Sequence, residues 1–109
     1  MKLWIDDVRP APKEYDIWIT NVDRAKQMIK YFEALYKYDP FYNNDCLIEL
    51  IDIDHDAGDY AEFGGDYIKL LDWLEETGRN YPIRIHSMNP VGMANMRAII
   101  ERNGWTEIK

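Results

Sequence analysis

The chain has a single cysteine, Cys46, so no disulfide can close within it. That cysteine opens an apolar run, which predicts a buried, unreactive thiol. No uninterrupted apolar stretch comes near the roughly 20 residues that a membrane-spanning helix requires. Met1-Lys2-Leu3-Trp4-Ile5 runs at once into two acids, so the start does not read as a secretion signal. We therefore expect a cytoplasmic protein without a membrane partner. Positive charge is scarce: 13 Lys and Arg stand against 20 Asp and Glu, a formal net charge of −7. Proteins grip duplex nucleic acid through basic patches, so extended duplex DNA binding is excluded. A local contact with a nucleic-acid end, through Arg9, Arg84 or a metal ion, is not. Repeats, linkers and low-complexity segments are also missing, and 109 residues read as one domain, 1–109. With 47% hydrophobic and 14% aromatic residues the chain has enough material for a core.

What is present is concentrated at the ends of three hydrophobic runs. Leu3-Trp4-Ile5 ends in Asp6-Asp7-Val8-Arg9-Pro10. Leu47 to Ile53 ends in Asp54-His55-Asp56. Ile83-Arg84-Ile85 ends in His86-Ser87-Met88-Asn89-Pro90. These runs, with residues 16–19, read as strands, the second of them over 46–53 with Glu49 near its start. Apolar spacing predicts helices over 21–37, 66–77 and 90–103, and a last short strand over 105–108. In the third helix Val91, Ala94, Ala98 and Ile99 are expected to face inward. Asn89-Pro90 is a favoured helix start and Gly104 a stop. Pro10 and Pro12 leave no room for a helix between the first two strands. Strands alternating with helices imply an α/β three-layer sandwich. The sheet is expected to be mostly parallel and receiver- or flavodoxin-like, with strand order 2-1-3-4-5. In such sheets ligands bind at the strand C-termini, where these acids and histidines would converge.

Each cluster has a chemistry. Asp6-Asp7 offers hard oxygens to a divalent cation, though adjacent side chains on a strand point to opposite sides. Asp52 lies inside an apolar run, where an unpaired charge is costly, so it needs a partner such as Arg84 or a helix N-terminus. Asp54 and Asp56 share its side by period-two spacing, and Asp54 falls where the strand ends. His55 and His86 are candidates for acid–base work, metal ligation or structural hydrogen bonding. Ser87, Asn89 and the helix start after them favour an anion, and the fork of Arg9 matches phosphate. Trp4, Trp18, Trp73 and Trp105 read as core residues. Gly64-Gly65 reads as a turn, and the tyrosine-rich stretch from Tyr31 to Tyr42 as helix packing.

The order of these strand-end motifs resembles the receiver domains of two-component signalling, with Asp6-Asp7, Asp54 and Ser87 at the matching positions. The only candidate for a receiver's lysine is Lys109, and His55, Asp56 and His86 are not standard receiver residues. A closer resemblance is to the cyclic-phosphate-processing receiver domains. It rests on Leu3-Trp4-Ile5-Asp6-Asp7-Val8-Arg9-Pro10-Ala11-Pro12, on Asp54-His55-Asp56-Ala57-Gly58, and on Ile83-Arg84-Ile85-His86-Ser87-Met88-Asn89-Pro90-Val91-Gly92. The resemblance implies a receiver-like fold and the processing of 2′,3′-cyclic phosphates or related phosphoester ends, as in RNA repair.

Together these readings predict a metal-assisted phosphoesterase whose partner is a phosphorylated small molecule or an RNA end. Asp7 and Asp54, with Asp6 or Asp56, would hold Mg²⁺ or Mn²⁺. His55 and His86 would move protons, with Asp54 as ligand or nucleophile. Arg9, Ser87 and Asn89 would cradle the phosphate. The alternative is a non-enzymatic signalling or interaction module that binds an ion or phosphate, with Asp54 as a phosphate acceptor. An acidic nucleic-acid mimic fits less well, because the acids cluster at strand ends instead of lining a helix.

Overall fold

The computed structural model describes all 109 residues. Its elements run β1 (Lys2–Ile5), β2 (Ile17–Ile19), α1 (Val22–Tyr38), β3 (Leu50–Ile53), α2 (Ile68–Glu76), β4 (Ile83–Ile85) and α3 (Pro90–Asn103). The four strands form one parallel sheet in the order β2-β1-β3-β4. This is the receiver-like order expected, without its fifth strand. Where that strand belongs, Glu107 makes one parallel bridge to Ile83. A three-residue β4 gives the tail little more to pair with.

Side-chain alternation divides the sheet into two unlike faces. Leu3, Ile5, Ile19, Ile51, Ile53, Ile83 and Ile85 point to one side. There they form a single core with Val22, Ala25, Ile29 and Phe32 of α1, Leu70, Leu71 and Leu74 of α2, and Met96, Ile99 and Ile100 of α3. Crossovers between parallel strands are right-handed. The steps β2 to β3 and β3 to β4 advance in one direction, so their helices share one face. The step from β1 to β2 goes the other way, and Pro10 and Pro12 keep it from being a helix. The opposite layer is therefore the loop 6–16, whose Arg9 carbonyl and Tyr15 cover Trp4 and Asp52, while Trp18 and Arg84 stay about half exposed. That loop is what buries the polar groups described below.

The helix ends follow their sequence signals. Asn21 caps α1 by accepting from Arg24 N at 2.7 Å, and Asn89 caps α3 by accepting from Gly92 N at 2.9 Å. Gly104 closes α3 in the left-handed conformation. Four expectations change, one of them the packing of the tyrosine-rich stretch, since Tyr31, Tyr38 and Tyr42 are exposed. The apolar stretch from Cys46 is not all strand: Asn44–Cys46 is a 3₁₀ turn, pairing starts at Leu50 opposite Lys2, and Cys46 is only half-buried. In α3 the buried residues are Gly92, Met96, Ile99 and Ile100, while Val91, Ala94 and Ala98 face outward. Both stripes fit helical spacing, and the larger side chains win the core. Of the four tryptophans, Trp18 is not core but 45% exposed.

One ion pair locks α1 to the loop after α2. Arg79 Nη2 donates to Glu33 at 2.9 Å, its Nε donates to the same carboxylate, and Tyr81 adds its hydroxyl. The Arg79 guanidinium also lies 4.3 Å over the Trp73 ring. Burial alone would raise the Glu33 pKa, but Arg79 and Tyr81 outweigh it and bring it below its usual 4.5. A depressed carboxyl stabilises the fold above its unfolded pKa and loses that contribution as pH falls through the folded value. Glu33→Gln should cost about 1–2 kcal/mol at neutral pH. It should also flatten the loss of stability below pH 4.5, as read by urea unfolding at several pH values. An unchanged acid limb would remove Glu33 as its source.

Candidate functional site

The C-terminal edge of the sheet gathers the acids as expected. Asp6 and Asp7 follow β1, and Asp54 follows β3, its amide donating to Ile5 O at 2.9 Å. One oxygen from each of Asp6, Asp7 and Asp54 lies within 4.8 Å of the others. Asp6 is almost wholly buried, at 1% exposure. Its Oδ1 accepts from Val8 N at 2.8 Å and Arg9 N at 2.9 Å. Burial pushes the Asp6 pKa up, but these N–H groups and His86 outweigh it and hold it below the ordinary carboxylate value. Asp7 goes the other way. Burial raises it, and the negative charges of Asp6, Asp54 and Asp56 raise it further, against one backbone hydrogen bond.

Beside the trio lies a buried polar chain. His86 follows β4, reaches across β3 and stacks on Trp4 of β1, with ring centroids 3.7 Å apart and planes within 7°. Its Nε2 meets Asp6 Oδ2 at 2.9 Å and its Nδ1 meets Asp52 Oδ1 at 2.5 Å. Each ring nitrogen thus has a carboxylate oxygen within hydrogen-bond distance. The second oxygen of Asp52 takes the Tyr15 hydroxyl. Burial and Asp52 together push the Tyr15 phenol up to about 12. Arg84, the partner expected for Asp52, stands 3.8 Å away as a weaker third contact. Asp52 is fully buried, and no buried side-chain polar atom in the protein lacks a partner.

The remaining candidates divide between two places. His55 Nδ1 pairs with Asp56 Oδ1 at 2.8 Å, and these two group with Asp66 and not with the trio. Asp56 acts on the trio through its charge on Asp7. Asn89 Nδ2 faces both His55 and Asp56 at 3.5 Å. Ser87 Oγ accepts from Asn89 N at 3.1 Å, which leaves its hydroxyl hydrogen free to donate. Arg9 is exposed and its guanidinium makes no ion pair. Lys109 is paired with Glu107 at 3.9 Å. Two site residues were not foreseen. Tyr15 sits in a proline-broken loop, with no periodicity to flag it. Tyr67 is a fully buried core residue that nevertheless feels the charge of the acids. Its hydroxyl donates to Thr20 O at 2.6 Å, and burial together with Asp7, Asp6 and Asp54 drives its pKa well up. The site is an open edge: the larger surface cavity lies elsewhere, on α1, against Arg24, Met28 and Tyr31.

A family model described as the cyclic-phosphate processing receiver domain matches residues 1–102. The chain belongs to that family. No curated protein and no solved structure matches it. The match takes in the acid pair, the Asp54-His55-Asp56 run and the His86 to Gly92 segment, that is, the ends of β1, β3 and β4 of this receiver domain.

The donors of this receiver domain fit a hard divalent cation. Three carboxylate oxygens crowd together, and no Lys or Arg side chain pairs with Asp6, Asp7 or Asp54. Gly58 makes room for them: at φ +56° it is in the left-handed region, and a Cβ there would lie 2.3 Å from Asp7 Oδ2. Gly92 does the same for His55, since a Cβ would meet the imidazole carbon Cγ at 2.5 Å. Gly92→Ala should push the His55 ring off the first turn of α3 while leaving the fold within about 1 kcal/mol, because α3 favours Ala. The His55 ring resonances would move in an NMR spectrum. If they stay in place, the ring tolerates the added methyl and Gly92 does not position it.

Proposed function

We propose that this receiver domain is a metal-assisted phosphoesterase that opens a cyclic phosphate carried by a small molecule or an RNA end. The observation that carries the reading is the placing of the acid trio, His55 and the start of α3 along one open edge. A cation site and an anion site side by side suit a phosphate ester. Asp6, Asp7 and Asp54 are the proposed holders of Mg²⁺ or Mn²⁺, with Asp56 adding charge nearby. Such an ion, when bound, polarises the phosphoryl group or lowers the pKa of water.

The protein's own groups take the rest of the work. Asp56 holds His55 Nδ1, so Nε2 is the nitrogen available to take a proton from attacking water. The water oxygen bonds to phosphorus, one ring P–O bond breaks, and the released alkoxide takes up a proton to leave a monoester. Ser87, Asn89, Arg9 and the N–H groups opening α3 favour the phosphate oxygens. His86 was expected as a second proton carrier. Both its nitrogens are on carboxylates, so we assign it to holding Asp6 in place.

The test is a short RNA ending in a 2′,3′-cyclic phosphate, incubated with Mg²⁺ or Mn²⁺ and separately with EDTA. Metal-dependent ring opening is expected, falling about 10²–10⁴-fold in His55→Ala. Half-exposed Asp54, beside the acid pair, also keeps the signalling reading in view. No turnover, together with an acid-labile phosphoryl group on Asp54 after exposure to a small phosphodonor, would replace the esterase with that module.

A further inference from the structure

We infer that Trp18 is a stacking platform for the nucleobase of a nucleotide whose phosphate occupies the acid-trio edge. The inference rests on the phosphoesterase reading for the phosphate and adds that the substrate carries a base. Trp18 lies on the loop-covered face of β2, opposite Trp4 in the register, yet it is 45% exposed where Trp4 is buried. The indole is not loose. Its Nε1 donates to the main-chain carbonyl of Asp6 at 2.8 Å. The residue whose carboxylate joins the trio is thus the one whose carbonyl fixes the ring, so platform and acids are joined through a single residue. The right-handed winding leaves this face without a helix, and the indole, held at its Nε1 by the start of the loop 6–16, stays 45% exposed.

Charge on the same face of the sheet favours the same occupant. The chain is strongly acidic, but two exposed guanidiniums lie on or beside this face, away from the ring itself. Arg9 is without an ion pair and follows Asp6 by three residues; Arg84 is 49% exposed and ends the row Trp18, Trp4, Asp52, Arg84 across the sheet. An aromatic ring held on a strand, with cations nearby, is how proteins take single-stranded bases without reading their sequence. The open edge leaves room for the rest of such a ligand. Base identity should matter little, because every base has a π-face.

The experiment compares adenosine 2′,3′-cyclic phosphate with glycerol cyclic phosphate, which keeps the phosphate and lacks the base, on the full chain with Mg²⁺. Three readouts are taken: turnover, affinity, and the Trp18 indole N–H resonance. The nucleotide is expected to shift that resonance and the glycerol ester to leave it. Trp18→Leu should weaken the nucleotide roughly tenfold or more and leave the glycerol ester unchanged. Trp18→Phe, which keeps a flat ring and loses the N–H, should retain most of the affinity. Equal losses with both esters would overturn the platform, since Trp18 would then act only through Asp6. So would turnover of both esters with an unmoved indole signal, which would leave the esterase reading intact. A shifted indole with no turnover would keep the platform and remove the esterase. If Trp18→Leu fails to fold, the resonance and Trp18→Phe still decide.

Discussion

Asp52→Ala should lower the stability of this domain by about 3–5 kcal/mol, the cost of removing one partner from a buried charged pair. Asp52 is fully buried, and its two oxygens serve His86 Nδ1, the Tyr15 hydroxyl and, more distantly, Arg84. Truncation leaves an imidazole and a phenol facing a hole under the loop 6–16, with Asp6 still charged on the far side. Domains of this size hold only about 5–15 kcal/mol in all. A melting point about 15–25 °C lower is therefore expected. Tyr15→Phe removes one hydrogen bond and should cost about 1–2 kcal/mol. Arg84→Ala should cost no more than about 1 kcal/mol, since the guanidinium is half exposed and its contact is long. The ranking is the informative part. If Arg84→Ala proves as damaging as Asp52→Ala, the charge of Asp52 is balanced by arginine and the histidine chain is incidental.

That chain marks where the sequence stops being readable. The need for a partner at Asp52 was legible, because an acid inside Leu50-Ile51-Asp52-Ile53 has nowhere dry to go unpaired. The identity of the partner was not. Arg84 is the neighbour by register, directly opposite Asp52 on the adjoining strand. The true partners arrive by side-chain reach: His86 folds back over β3, and Tyr15 comes down from a loop that no periodicity describes. The convergence of Asp6, Asp7 and Asp54 was legible for the opposite reason. Strand ends in a parallel sheet meet whatever the side chains do. That all three helices lie on one face was not foreseen in the expected three-layer sandwich; it follows once the handedness of crossovers is applied to a strand order with no helix between β1 and β2. The length of β3 was hidden because it is set by its partners. Pairing starts at Leu50 opposite Lys2, whatever the hydrophobicity of the preceding residues. The outward turn of Val91, Ala94 and Ala98 was hidden because competing stripes are separated only by the volume they bury.

The second large effect is expected at Asp7. Divalent cation should raise the melting point of the protein, by the equivalent of about 2.7 kcal/mol at a hundredfold excess over Kd. Asp7→Asn should abolish that rise, and it should at the same time make the cation-free protein more stable. Both follow from one fact: burial and the charges of Asp6, Asp54 and Asp56 raise the Asp7 pKa above 3.8. A carboxyl raised on folding contributes stability that is complete below the unfolded pKa and is lost as pH rises through the folded value. At neutral pH ionised Asp7 is thus a liability, and it is the liability that a cation relieves. Asp6 is lowered, so its contribution has the opposite sign and fails only as pH drops below 3.8. Between 3.8 and the raised value, acidification should therefore stabilise the cation-free protein through Asp7 while weakening the cation's hold on it. The two trends cross in the wild type and vanish together in Asp7→Asn, measured as melting points across pH with EDTA or with Mn²⁺. A wild type whose melting point ignores the cation, with an Asp7→Asn variant that gains no stability of its own, would show that the three acids do not repel one another. The trio would then be a hydrogen-bonded turn and not a place prepared for a metal.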